Sequence, residues 1–148
     1  DGILAIFGAP VGRPDDARRA VRCALGMQAA VHGINARNRA QGLPEIAIGI
    51  GLNTGVVVAG NIGSERRSKY GVVGHTVNLT ARIESYTGAG EILASQGTVD
   101  DAGPGIETGR RFSARPKGMA AEVVIHAVTG LRENPVPLTP TGTEHSTR

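Results

Sequence analysis

The sequence has little cysteine and few aromatic residues. Its 148 residues include one cysteine, Cys23, no tryptophan, two tyrosines and two phenylalanines. A single cysteine excludes an internal disulfide and suits a reducing compartment. Four scattered aromatic residues are too few for a platform that stacks nucleic-acid bases. No apolar run approaches the ~20 residues that cross a bilayer, and no signal peptide is visible. We therefore expect a cytoplasmic segment without membrane contact, whose parent protein can still be anchored elsewhere.

An excess of charge of one sign is also lacking. The chain has 16 lysines and arginines against 13 aspartates and glutamates, which gives a net charge of +3. The densest basic run is Arg66, Arg67 and Lys69, and charges of both signs are interspersed elsewhere. Such a distribution is typical of solvated faces. We predict no nucleic-acid partner.

The length fits one domain with its own core. Apolar runs and punctuation by glycine and proline predict strands and helices in alternation. The predicted strands lie at 2–10, 45–55, 56–63, 69–73 and 90–95, with a hairpin-like pair in 106–130; the predicted helices run from Asp15 or Asp16 to Gly42 and Pro44, over 76–86 and near 96–102. This pattern predicts an α/β or α+β sheet with helices packed on it. From 131 to 148 the chain is rich in proline and threonine without apolar periodicity, so we predict a domain over 1–130 and a disordered tail over 131–148.

Glycine is abundant, at 22 of 148 residues, but the usual phosphate-loop patterns fail. Gly49, Gly51 and Gly55 are spaced one residue too widely for a dinucleotide-binding loop. No Gly-Lys pair exists for a Walker loop, and the four histidines lack metal-ligand spacing. General templates therefore assign no function.

The segment "KYGVVGHTVNLTARIES", residues 69–85, reads as a strand followed by a helix. Asn78 and Arg82 are four residues apart, so they lie on one helical face. We predict that Val77, Ala81 and Tyr86 form the opposite, core-facing side. An asparagine can orient a ribose through two-way hydrogen bonding, and an arginine fork suits phosphate oxygens. The alternative interpretation is a local cap and a solvated arginine.

The wider passage "GIGLNTGVVVAGNIGSERRSKYGVVGHTVNLTARIES", residues 49–85, closely resembles the catalytic domain of the class III nucleotide cyclases. "DGILAIFGAP" resembles the second metal-binding hairpin of that family, and "RPKGMAAEVVIHAV" resembles its closing strands. The resemblance covers about residues 1–130. It implies an α+β fold, a ferredoxin-like sandwich of the class III cyclase type, from which the first strand and helices are missing.

The resemblance also implies the site and the reaction. Asp1 matches one of two metal-binding aspartates, Asn78 the ribose-orienting asparagine and Arg82 the arginine that stabilises the transition state. Gly71 and Val77, with Asn78, match substrate-binding positions. A nucleoside triphosphate, ATP rather than GTP, would be cyclised to the 3′,5′-cyclic nucleotide and pyrophosphate. The family uses two Mg²⁺ or Mn²⁺ ions and a head-to-tail homodimer, with the carboxylates and the Asn/Arg helix on different subunits. Sensor or transducer modules are expected on the parent chain.

The sequence departs from the family pattern at several points. The strand with the other metal aspartate should precede Asp1, so we expect a piece of a longer parent protein, inactive alone. Gly71 offers no side chain where the family often reads adenine, so that position does not assign the purine. His75 replaces a frequent helix-capping aspartate, which makes Thr76 the predicted cap. Lys117 matches a family lysine but Met119 stands where a second basic residue can occur, so the match gives little support to phosphate contact there.

Two other classes of function stay open at this stage. A degenerate cyclase-like module could bind a nucleotide or a partner without turnover. Gly71 and His75 favour that interpretation, whereas Asn78 and Arg82 argue against it. A ferredoxin-like nucleic-acid-binding domain is suggested only by the basic pI and the fold, and the scarcity of aromatic residues counts against it.

Overall fold

The structure, a computed structural model, describes residues 2–63 and 69–133. Its elements are, in chain order, α1 (Asp16–Ala40), β1 (Ile50–Leu52), β2 (Val58–Ile62), β3 (Lys69–Val73), α2 (His75–Ser85), β4 (Ile92–Ser95), α3 (Gln96–Ala102), β5 (Ile106–Ala114) and β6 (Val123–Leu131). The predicted mixture of strands and helices is confirmed, including the strand at 69–73 and the helix at 96–102. Of the predicted strand at 45–55, only Ile50–Leu52 pairs as a strand.

Four strands form one sheet in the order β1-β4-β6-β5. β1 runs parallel to β4, whereas β4 and β5 are each antiparallel to β6. β2 and β3 form a separate antiparallel ribbon, in which Gly60 lies opposite Gly71. Within the described ranges, no helix has the length and apolar character needed to span a bilayer.

The sheet separates two cores, because successive residues of a strand point to opposite faces. On one face, α1 and α3 pack on β4 and β6 through Val21, Ala24, Ala102, Ile92, Ala94 and Val128. On the other face, Leu93, Ile125 and Ala127 pack against Ile83 of α2. The second core fixes α2 on the sheet, and α2 carries the predicted site.

Leu93 allows a direct test of this second core. Its side chain is fully buried, so Leu93→Ala in the parent protein should remove about 2–5 kcal/mol from the free energy of unfolding of this domain. Leu43→Ala is the matched control, because Leu43 is 52% exposed and its truncation should cost less than about 1 kcal/mol. Chemical denaturation measures both, and equal losses would contradict the described core.

The glycines of "GIGLNTG" allow α2 and the residues just after it to pack closely on this segment. A Cβ on Gly51 would lie 2.6 Å from the backbone nitrogen of Glu84, and one on Gly55 would lie 2.6 Å from the Thr76 hydroxyl oxygen. A Cβ on Gly49 would collide with the Thr87 side chain. The absence of side chains therefore lets α2 lie directly against β1. This explains the glycine-rich pattern without a phosphate loop.

The prediction of a buried strand over 2–10 is wrong. These residues have no strand partner in the described part of the chain, and Ile3, Leu4 and Ile6 are 89%, 54% and 37% exposed. An apolar run becomes a strand only where a neighbouring strand accepts its backbone hydrogen bonds. Apolar composition alone therefore does not make this segment a strand, because no strand among the described residues pairs with it.

The start of α1 differs in detail from the predicted cap. Asp15 is the N-cap residue but its side chain makes no capping hydrogen bond. The Asp16 carboxylate instead accepts a hydrogen bond from the backbone N–H of Arg13, at 2.7 Å. That bond is the main reason why the pKa of Asp16 lies below its usual value, and desolvation opposes it.

The end of β6 is fastened to α1. The Arg18 guanidinium donates to the backbone oxygens of Ala102, Pro104 and Arg132, and Arg22 pairs with Glu133. Leu131 completes β6. The rest of the predicted tail, residues 134–148, lies outside the described residues, as do Arg66 and Arg67 of the basic run.

Candidate active site

The start of α2 is fixed by the loop before β2. The Thr76 hydroxyl donates to the carbonyl oxygen of Val56 at 2.8 Å, and the Asn53 amide donates to the carbonyl oxygen of Thr76 at 3.1 Å. Thr76 is therefore not the cap that the sequence predicted. The N-cap residue is Gly74, whose φ of 138° is a conformation that residues with a side chain rarely adopt. This glycine turns the chain sharply from β3 into α2.

The buried side of α2 is not the one predicted. Ile83 is fully buried and Leu79, one turn earlier, packs on the same core. Val77 is half-buried, whereas Ala81 and Tyr86 are exposed. Gly51 of β1 lets the backbone of Glu84 lie directly against the strand, and this close approach orients Ile83 and Leu79 toward the core. Tyr86 follows the helix and packs edge-on against Phe112, with ring centroids 6.3 Å apart.

Asn78 and Arg82 lie on the exposed side of α2, as predicted. They line a cleft of about 500 Å³ between α2 and the loop that joins β5 to β6. The other lining residues are His75, Leu79, Ala81, Pro116, Lys117, Gly118 and Met119. Pro116 is fully buried and holds the base of that loop in place. The two predicted side chains therefore face a concave space that can hold a ligand.

Lys117 lines the cleft, although the sequence gives little support to a phosphate contact there. It is exposed and lines the same cleft as Arg82, although the two are far apart along the chain. The signal in the sequence is that Lys117 of "RPKG" matches a lysine of the family. The pairing of β5 with β6 and the packing of α2 on the sheet together bring this loop opposite α2.

The described lining of the cleft is positively charged. It contains the cationic side chains of Arg82 and Lys117, together with the His75 imidazole, and no carboxylate. Among the described residues, none forms a hydrogen bond or ion pair with the side chains of Asn78, Arg82 or Lys117. Unpaired cationic groups in a cleft favour an anionic ligand with several phosphate oxygens.

Groups with a shifted pKa lie outside this cleft in the described part of the molecule. The Arg110 guanidinium hydrogen-bonds the Glu91 carboxylate and lowers the pKa of Glu91, while Glu91 raises the pKa of Arg110. Arg110 also lies over the Phe112 ring, 4.6 Å from its centroid. Neither residue of this surface pair lines the cleft.

The other predicted site residues lie elsewhere. Gly71 is in β3 and does not line the cleft, and neither does Val77. Asp1 lies outside the described residues. The substrate and metal assignments of these three residues stay predictions.

The described lining of the cleft does not fit a divalent cation. Mg²⁺ and Mn²⁺ prefer carboxylate and carbonyl oxygens, whereas the cleft offers cationic side chains and one amide. No cluster of three aspartate, glutamate, histidine or cysteine side chains occurs within residues 2–63 and 69–133. If the reaction uses a metal, its ligands must come from other residues.

Most of the chain matches a known family of catalytic domains. Residues 1–125 match the model of the adenylate and guanylate cyclase catalytic domain. The chain belongs to this family. Among curated relatives, Adenylate cyclase 1 of Rhizobium meliloti is 32% identical to this cyclase domain over 133 residues, which are 88% of this chain and 20% of that protein.

Two crystal structures show the same fold. The guanylyl cyclase Cya2 aligns with a TM-score of 0.82 and 48% identity, over 90% of this chain and 66% of that one. The adenylyl cyclase CyaB from P. aeruginosa aligns with a TM-score of 0.79 and 33% identity, over 85% of this chain and 66% of that one. The predicted cyclase-type α+β fold is confirmed. This cyclase domain thus spans about two thirds of the crystallised chains and a fifth of the curated relative.

Proposed function

We propose that this domain takes part in converting a purine nucleoside triphosphate to its 3′,5′-cyclic nucleotide and pyrophosphate. The ribose 3′-oxygen bonds to the α-phosphorus, its proton leaves, and the bond from that phosphorus to the bridging oxygen breaks. The observation that carries the proposal is the meeting of Asn78, Arg82 and Lys117 in one cleft without competing partners among the described residues. Family membership supports the same reaction class.

Each side chain has a role that its chemistry allows. The Asn78 amide both donates and accepts, so it can hold the ribose with its 3′-hydroxyl directed at phosphorus. The Arg82 guanidinium can meet the negative charge that builds on the phosphoryl oxygens in the transition state. Lys117 adds a compact positive charge for the phosphate chain. Gly71 and Val77 are proposed to contact the substrate from the β3–α2 junction.

We place the metal site across a subunit interface. Asp1 of one subunit, with a second carboxylate of the parent protein, would hold Mg²⁺ or Mn²⁺ opposite Asn78 and Arg82 of the other subunit. Bound there, the ions would lower the pKa of the attacking hydroxyl and neutralise phosphate charge. The cationic lining of the described cleft supports this division, because it offers no carboxylate of its own. The homodimer is the proposed active unit.

We propose ATP as the substrate, with GTP as the second candidate. The sequence prediction is ATP in preference to GTP, and two of the relatives described above are adenylate cyclases. The 48% identity to a guanylyl cyclase favours GTP as a second candidate. Comparing kcat/KM for ATP and GTP at one metal concentration decides between them, and a GTP preference would overturn the sequence prediction.

The parent protein and the isolated chain should differ in activity. We expect the parent to make cyclic nucleotide with Mn²⁺ or Mg²⁺, and residues 1–148 alone to make none, on the proposal that Asp1 acts with a second carboxylate from outside these residues. Both are assayed with ATP and with GTP at matched concentration, and the product is measured by mass spectrometry. Turnover by residues 1–148 alone would contradict the need for a second carboxylate.

The same assay tests the alternative of a degenerate module without turnover. A parent protein that binds nucleoside triphosphate but forms no cyclic product would establish that alternative. We further propose that the domain works in the cytoplasm, where its substrates are made, and that attached sensor or transducer modules regulate it.

A further inference from the structure

His75 is a polar residue of the cleft for which the proposed reaction has no role. It begins α2 directly after Gly74, is exposed, and lines the same cleft as Asn78 and Arg82. The described residues give its ring no hydrogen-bond partner. The ring is therefore available to a ligand.

The three residues form one stripe along α2, at positions i, i+3 and i+7. Along the helix axis His75 lies about 4.5 Å from Asn78, and Asn78 lies about 6 Å from Arg82. His75 is thus on the opposite side of Asn78 from Arg82. This order can be compared with the order of groups in a nucleotide.

In a nucleoside triphosphate the ribose separates the phosphates from the base. If Asn78 holds the ribose and Arg82 meets the α-phosphate, the direction from Arg82 to Asn78 runs from phosphate to ribose. One more helical turn in that direction reaches His75, on the side of the ribose where this orientation directs the base. The inference therefore depends on the proposed function, from which it takes the two ends of the substrate.

We propose that His75 hydrogen-bonds the purine base and contributes to its recognition. A neutral imidazole has one donor and one acceptor, and both purines present N7 as an acceptor beside a polar group at position 6. At Gly71, which the resemblance matches to a position where the family often reads adenine, there is no side chain to take that role. Arg82 and Lys117 already supply positive charge for the phosphates.

The test measures binding without turnover in the parent protein. The probes are 3′-deoxy-ATP and 3′-deoxy-GTP, which lack the attacking hydroxyl, and the corresponding deoxyribose triphosphate without a base. His75→Ala should weaken binding of the better nucleotide about 2- to 10-fold, as expected for one hydrogen bond, and leave the base-free ligand unchanged. His75→Gln, which keeps a donor and an acceptor, should recover part of the loss. His32→Ala, at an exposed histidine of α1, is the matched control and should bind both ligands as wild type does.

The possible results separate this inference from the proposed function. Equal weakening of the nucleotide and the base-free ligand would overturn it, because His75 would then act on the sugar or the phosphates. No weakening of either would overturn it as well. If the wild-type parent binds nucleotide but forms no product, the reaction is refuted while the contact of His75 is still measured. If it binds neither probe, both proposals fail.

Discussion

Arg82→Ala in the parent protein is expected to lower kcat by ~10²-fold or more, as for the loss of a donor that acts on transition-state charge. Asn78→Ala should have an effect of the same size, because a misoriented ribose loses the line of attack on phosphorus. Both side chains are exposed and have no partners among the described residues, so their removal should not unfold the domain. Steady-state kinetics and melting temperature are measured together.

Two further variants make this result specific. Arg37→Ala removes an exposed arginine of α1 away from the cleft, and it should retain wild-type kcat. Arg82→Lys keeps the positive charge but loses the planar fork of N–H donors, so its kcat should stay well below that of the wild type. A wild-type kcat in Arg82→Ala or Asn78→Ala, at unchanged melting temperature, would contradict the catalytic roles. The two residues would then be a local cap and a solvated surface arginine.

The sequence predicted this exposed stripe because helical spacing fixes which residues share a face. Asn78 and Arg82 had to lie together once residues 75–85 formed a helix. Spacing does not determine the rotation of the helix in the same way. The sequence predicts Val77, Ala81 and Tyr86 on the core side, whereas Leu79 and Ile83 pack on the core. That rotation depends on contact with Gly51 of β1, which no local pattern contains.

Long-range pairing explains the other differences. The run at 2–10 is apolar enough for a buried strand, but a strand requires a partner. The place of Lys117 in the cleft follows from the pairing of β5 with β6 and from the packing of α2 on the sheet. Strand pairing and helix packing are both tertiary features, and the only local signal for Lys117 is its match to one lysine of the family. Spacing predicts which residues share a face, whereas strand pairing decides which faces meet.

The proposal that Asp1 and Arg82 act from different subunits has the second large expected effect. Full-length Asp1→Ala and full-length Arg82→Ala should each be inactive alone, since each homodimer carries the same lesion in both sites. Mixing the two should restore activity. In a mixed dimer one site carries both lesions and the other carries neither.

The size of the recovery follows from the symmetry of the dimer. With random exchange about half of the dimers are mixed and each has one intact site of two, so about a quarter of wild-type activity should return. A mixture of Asn78→Ala with Arg82→Ala is the control. Each proposed site takes both residues from the α2 of one subunit, so in a mixed dimer each α2 carries one lesion and neither site is intact. Subunit exchange is checked independently with differently tagged chains. If exchange occurs and the first mixture stays at the level of the single variants, each chain must hold its own complete site, and Arg82 must act beside the Asp1 of its own subunit.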